Sequence, residues 1–139
     1  MSAKENKSAL QRGAEAFNSR NSRAEWFDIH DPSVLAYGLG PEPLNHEGLK
    51  QFYTALWTGF PNLKITVEDI VAEDEKVAWR LTARGTHTGE FRGVPATGKG
   101  VSFEAQYIFE FRNGKIVKRW TNLDRLGLLM QLGAIPAPV

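Results

Sequence analysis

Apolar and polar positions follow a helical period in the first part of the chain and a strand period after it. Leu10, Ala14 and Phe17 recur at helical spacing and predict a helix over residues 3–18. The polar run 18–22 ends it with turn chemistry. A second short helix is expected over 23–29, carrying Trp26 and Phe27. His30-Asp31-Pro32 closes it, because the residue before a proline is pushed out of the helical region. Residues 33–37 form a short strand candidate and 38–43 a loop. The next helix has the clearest start: Asn45 can cap it, and Leu44 and Leu49 stand at the positions of a hydrophobic staple. Leu49, Phe52, Tyr53, Leu56, Trp57 and Phe60 then make one apolar stripe, stopped by Pro61 and Asn62.

From residue 63 the pattern alternates. Residues 63–71 place Ile65, Val67 and Asp69 opposite Lys64, Thr66 and Glu68. A polar turn at 73–76 leads to a strand over 77–87, rich in β-branched and aromatic residues. A glycine- and proline-rich connection, 89–100, precedes a strand over 101–111. The Asn113-Gly114 pair marks a tight hairpin into a strand over 115–123. A short apolar helix follows, with Gly133 as its terminating glycine and a loose tail from 134. Helices grouped ahead of a four-strand meander give an α+β fold. A strongly bent antiparallel sheet packed by a few helices can wrap into a cone with an open mouth, where a small molecule would sit.

Composition narrows the function. At 139 residues the chain reads as one domain, with an ordered core over about 5–134. It has no cysteine, which removes disulfides, thiol nucleophiles and thiolate metal sites. Its net charge is +1 and its basic residues are scattered, so nothing resembles a nucleic-acid footprint. The polar N-terminus has no apolar run behind it, so neither a signal peptide nor a membrane partner is expected and the cytoplasm is the default. The spacing Gly-x4-Gly-Lys occurs at 93–99, but Gly100 stands in place of Ser or Thr and the loop joins two strands. A nucleotide site is therefore not expected there.

The last strand carries the candidate chemistry. Strand alternation puts Trp120, Asn122 and Asp124 on one face and Val117, Arg119 and Thr121 on the other. We take the first set as inward. Phe103, Ala105, Tyr107, Phe109 and Phe111 share a face of the preceding strand and are assigned to pocket and core. On 77–83 either face could be inward, with Arg80 placed by preference on a polar sheet face, a usual place for a subunit to dock. An enclosed Asp124 beside Trp120 would lose hydration and its pKa would rise, which suits proton transfer next to a carbonyl. The same residue is a natural N-cap for the final helix. His30 is either a proton relay or a turn histidine, His87 a rim or structural residue, and His46 solvated. Three histidines so dispersed do not make a metal site.

Gly48-Leu-Lys-Gln-Phe-Tyr53, Phe60-Pro61, Gly85-Thr-His-Thr-Gly-Glu-Phe91, Gly93-Val-Pro-Ala-Thr-Gly-Lys99, Asn113-Gly-Lys-Ile116 and Trp120-Thr-Asn-Leu-Asp-Arg-Leu-Gly-Leu-Leu-Met-Gln-Leu-Gly133 together resemble the SnoaL-like polyketide cyclases, or ester cyclases, over about 10–136. The resemblance implies the nuclear-transport-factor-2-like cone, a deep apolar pocket and a dimer or tetramer, here through the sheet. It also implies an intramolecular aldol condensation on an apolar small molecule without cofactor or metal. It makes Asp124 the general acid/base and His30 the early pocket histidine. Tyr37, Tyr53, Trp57, Tyr107, Phe109, Trp120 and Asn122 are then the substrate-binding positions, with Asn122, His30 or a water bonding the enolate oxygen. Phe109 stands where many members carry a histidine. The related ketosteroid isomerases place an acid in the loop after the first strand; here that region offers Tyr37 and no acid before Glu42. Isomerisation, hydration or epoxide hydrolysis are alternatives to cyclisation, and a non-catalytic ligand-binding or assembly domain is the rival from another class.

Overall fold

The computed structural model describes residues 2–136. The chain runs α1 (Ala3–Phe17), a 3-10 helix (Arg23–Ile29), β1 (His30–Tyr37), α2 (His46–Gly59), β2 (Lys64–Glu73), β3 (Lys76–Thr86), β4 (Gly100–Arg112), β5 (Lys115–Leu123) and α3 (Arg125–Gln131). The helices start where local chemistry satisfies their free N–H groups. Ser2 and Glu5 form a reciprocal capping box on α1, and the Asn45 side chain accepts from the Gly48 N–H at 2.9 Å on α2. Asn18, just past α1, bonds both backbone groups of Ile65 and so ties the helix end to β2.

The five strands form one curled, unclosed sheet in the order β1-β5-β4-β3-β2. All neighbouring pairs are antiparallel except β1 with β5, which is parallel. Asn113 and Gly114 take φ of 51° and 78° and turn β4 into β5, as the Asn-Gly pair predicts. The first strand is longer than expected, because it begins at His30 and runs through Pro32. Its place at the sheet edge tolerates a residue that cannot donate to a ladder. The connection after β3 contains only an isolated bridge, Phe91 to Val94.

Cross-strand partners share a face, so the ladder shows which side chains point inward. Val77–Phe109–Arg119, Trp79–Tyr107–Thr121 and Leu81–Ala105–Leu123 are the inner rows. The 3-10 helix, α1 and α2 lay Trp26, Phe17, Tyr53 and Leu56 against them, and the core is dense in rings. Trp26 stacks on Trp79 at 5.8 Å and Tyr107 on Phe109 at 5.5 Å. The outer rows are Ala78–Ile108–Trp120 and Arg80–Gln106–Asn122.

Two expected facings are corrected here. In β2 the pairing steps from Val67 to Asp69, so Glu68 is an extra residue and Asp69 swings to the outer face beside Arg80. In β5 the pairing steps from Lys118 to Ile116, so Val117 is the extra residue. Ile116, Arg119 and Thr121 are buried, whereas Trp120, Asn122 and Asp124 are exposed, the reverse of the expected arrangement.

Candidate functional site

The inward turn of β5 drives a cation into the core. Arg119 is fully buried, and no carboxylate is buried with it among the described residues. Burying an unpaired charge is costly, so its surroundings must replace water. They do so in part through rings: the guanidinium carbon lies 5.1 to 5.8 Å from the centroids of Tyr107, Phe109, Tyr53 and Trp26. Two neutral acceptors complete the shell. Nη1 donates to His30 Nε2 at 2.9 Å, and Nη2 donates to the Tyr53 hydroxyl oxygen at 2.7 Å. Nε has no partner.

Arginine can only donate, and that fixes the direction of the neighbouring bonds. His30 Nε2 must accept, so its proton sits on Nδ1 and is donated to the Trp26 carbonyl at 3.0 Å. Burial, and next the charge of Arg119, hold the His30 pKa well below its ordinary value, so this imidazole is neutral. Its lone pair is committed to Arg119, which makes it a support for the cation. Tyr53 accepts through oxygen, which leaves its own hydroxyl proton to be donated elsewhere. Tyr107 is pushed above the ordinary phenol range by burial and then by Tyr53, so it remains protonated.

Tyr53 and Tyr107 lie in the wall of an interior cavity of about 20 Å³, with Phe17, Trp26, Phe52, Trp79 and Leu123 among its other neighbours. That is room for about one water molecule. The deep pocket expected from the sequence is thus filled by rings as the structure stands. Trp57 is half-buried beside this cluster, 5.3 Å from Phe17 and 5.7 Å from Tyr53, with Arg23 5.0 Å over its ring.

The remaining expected site residues lie elsewhere. Tyr37 and Trp120 stack at 5.9 Å on the outer face and, with Asn122, line an open depression of about 540 Å³ together with Val71, Ile108 and Arg80. Asp124 is exposed and lines neither space. Its Oδ1 accepts from the Gly127 N–H at 2.9 Å and caps α3. Oδ2 has no hydrogen bond among the described residues.

Of the nine expected positions, four are therefore brought together: His30, Tyr53, Tyr107 and Phe109 surround Arg119. Arg119 and Thr121, a buried hydroxyl without a partner, are the members that alternation assigned to the wrong face. A signal for Arg119 was present. Lys118-Arg119 precedes a tryptophan on a strand whose partner face is wholly apolar, so one of the two cations had to meet that face. Among the described residues no group of three or more His, Asp or Glu is placed to hold a metal ion, and no helix is long and apolar enough to cross a membrane.

The SnoaL-like polyketide cyclase family model matches residues 7–132. Among solved structures, the chain is similar to AclR of Streptomyces galilaeus, a candidate hydroxylase, with 29% identity, a TM-score of 0.90 and coverage of 99% of this chain and 87% of that one. It is similar to IdmH of Streptomyces antibioticus, a candidate polyketide cyclase, with 32% identity, a TM-score of 0.79 and coverage of 92% and 98%. TsrD of Streptomyces laurentii gives 26% identity, a TM-score of 0.77 and coverage of 92% and 97%. No curated protein matches the sequence.

Proposed function

The chain belongs to the SnoaL-like polyketide cyclase family, and from that premise we propose that its cone takes an apolar carbonyl compound and moves a proton on it without a cofactor. An aldol-type cyclisation, or a related isomerisation, is the reaction class. The observation that carries this reading is the ring-lined interior with two phenol hydroxyls in its wall and a buried cation behind them. Rings suit an apolar body, and the hydroxyls suit one carbonyl oxygen.

Asp124 is the proposed acid/base. It follows Leu123, which lines the cavity, and its Oδ2 carries no hydrogen bond among the described residues. Phe52 and Leu123 are the half-buried members of the cavity wall, and a ligand larger than water would have to displace them. Proton removal by the Asp124 carboxylate would then develop negative charge on the carbonyl oxygen at the opposite end. The test is hydrogen–deuterium exchange at the α-carbon of α-tetralone in heavy water, followed by NMR. The protein should accelerate exchange, and Asp124→Asn should abolish the acceleration while α-tetralone still binds. No acceleration by the native chain, or an undiminished rate in the variant, would sink the proposal.

One observation favours a second reading. Asp124 is exposed and already employed as a cap, which fits a non-catalytic domain that binds a ligand or another copy. For such a copy the outer face is the proposed surface, since Val71, Ile108 and Trp120 are 66%, 46% and 37% exposed there. Sedimentation of Trp120→Glu against the native chain tests it: a native dimer that the variant splits supports this surface, and equal mass in both removes it.

A further inference from the structure

We infer that Tyr53, held by Arg119 and His30, is an oxyanion-binding group: its hydroxyl donates to a negatively charged enolate or phenolate oxygen of the ligand. The inference rests on the proposal that the cone interior is the ligand site, and it names the charge state of what binds there.

Three observations support it. The first is the missing counter-ion. Both ion pairs among the described residues belong to Arg80 on the outer face, while Arg119 is buried with none. Guanidinium carries a full positive charge, and an apolar interior magnifies its effect on anything nearby. A ligand bearing negative charge would supply what the fold omits.

The second is the direction of the hydrogen bonds. The series runs one way, from Arg119 outward to His30 on one side and to Tyr53 on the other. Because the Tyr53 oxygen accepts from a cation, its O–H bond is polarised and its proton is free to be given. The third is placement. Arg119 does not reach the cavity, but Tyr53 and Tyr107 line it. An oxygen entering there meets the Tyr53 donor, backed by the buried charge, while the Tyr107 hydroxyl is engaged with Tyr53. The donor is fixed before any ligand arrives, which is the arrangement that stabilises developing negative charge most effectively.

A purely structural Arg119 would give the same bond directions, since arginine can only donate. It would hold Tyr53 in place and leave the interior indifferent to ligand charge. The two roles are separated by measuring binding of naphthalene, 2-naphthol and a series of 4-substituted phenols of rising acidity, 4-nitrophenol included. Fluorescence reports occupancy, and absorbance reports whether bound 4-nitrophenol is ionised.

The expected result is that affinity climbs with phenol acidity and that 4-nitrophenol binds ionised, its proton released to solvent. Tyr53→Phe should weaken the most acidic phenols by about ten- to a hundredfold and leave naphthalene unchanged. Arg119→Met, which keeps the volume, should erase the preference for acidic phenols while the thermal midpoint stays near native. Naphthalene binding with no dependence on phenol acidity, or equal phenol affinities in native protein and Tyr53→Phe, would overturn the oxyanion role alone. If neither naphthalene nor any phenol binds, the interior is not a ligand site, and the oxyanion role fails together with the reading beneath it.

Discussion

Two arginines face opposite sides of the same sheet, and their treatment is opposite too. Arg80 lies on the outer face, bonded to Asp69 at 2.9 Å and to Glu104 at 3.2 Å, with all three side chains substantially exposed. Water screens such a network and leaves it with little net stabilisation. Arg119 lies on the inner face, fully buried, with rings and two neutral acceptors around it. The arginine that has carboxylates is the one that water already serves, and the arginine that lacks them is the one that water cannot reach. An interior cation of this kind is a poor device for stability.

The sharpest way to break the contrast is to remove each side chain. Arg119→Ala should cost about 3 kcal/mol, because it empties a volume bounded by four rings and strips His30 and Tyr53 of their donor. Urea unfolding measures this. Arg119→Met should cost far less, which would show that volume rather than charge holds the core there. Equal losses in both variants would mean that the charge itself is stabilising.

Acidity provides the next largest effect. His30 binds a proton less readily in the folded chain than the ordinary value of 6.5 for the free side chain. Below about pH 6.5 the unfolded state therefore takes up the proton first, and stability falls with falling pH by up to about 1.4 kcal/mol per pH unit. The loss from this group ceases below the depressed folded value. The ring touches Arg119 and Trp26, and His46 stands close enough for its charge to oppose protonation of His30 further. Denaturant midpoints between pH 5 and 7.5 should slope for the native chain and flatten for His30→Gln. An unchanged slope in the variant would assign the pH dependence to other groups.

Smaller still is the cap. Asp124→Ala should destabilise by about 1 kcal/mol through the lost bond to Gly127, while Asp124→Asn should keep most of it. If Asp124→Asn removes α-exchange but leaves the midpoint unchanged, the cap and the proton-transfer role separate cleanly. Last comes Arg80→Ala, for which the midpoint should not move and only its weak dependence on salt should vanish.

Much of this was legible in the order of the residues. Asn45 and Leu49 announced the start of α2, Asn113-Gly114 turned β4 into β5, and Phe103 to Phe111 showed which side of β4 is core. That one of Lys118 and Arg119 meets the core was legible, but which of them does was not, for a specific reason. Alternation yields two faces, and choosing between them by polarity assumes that an arginine faces water. The bulge at Val117 further removed any phase that could be carried over from the hairpin. The link from His30 to Arg119 spans 89 positions, and no local pattern encodes it. Asp124 is the converse case: its capping role needed only the three residues that follow it.

The parallel pairing of β1 with β5 has a consequence in time. A hairpin can join β4 to β5 soon after both exist, but residues 30–37 can align with 116–120 only by closing a loop that contains most of the sheet. Such distant contacts are late and entropically expensive during folding. Until that edge strand docks, Arg119 has no histidine to bond and stays in water on a half-built surface. The cation is thus internalised by that closure, so that a chain whose Arg119 is bonded to His30 is also one whose first and last strands have met.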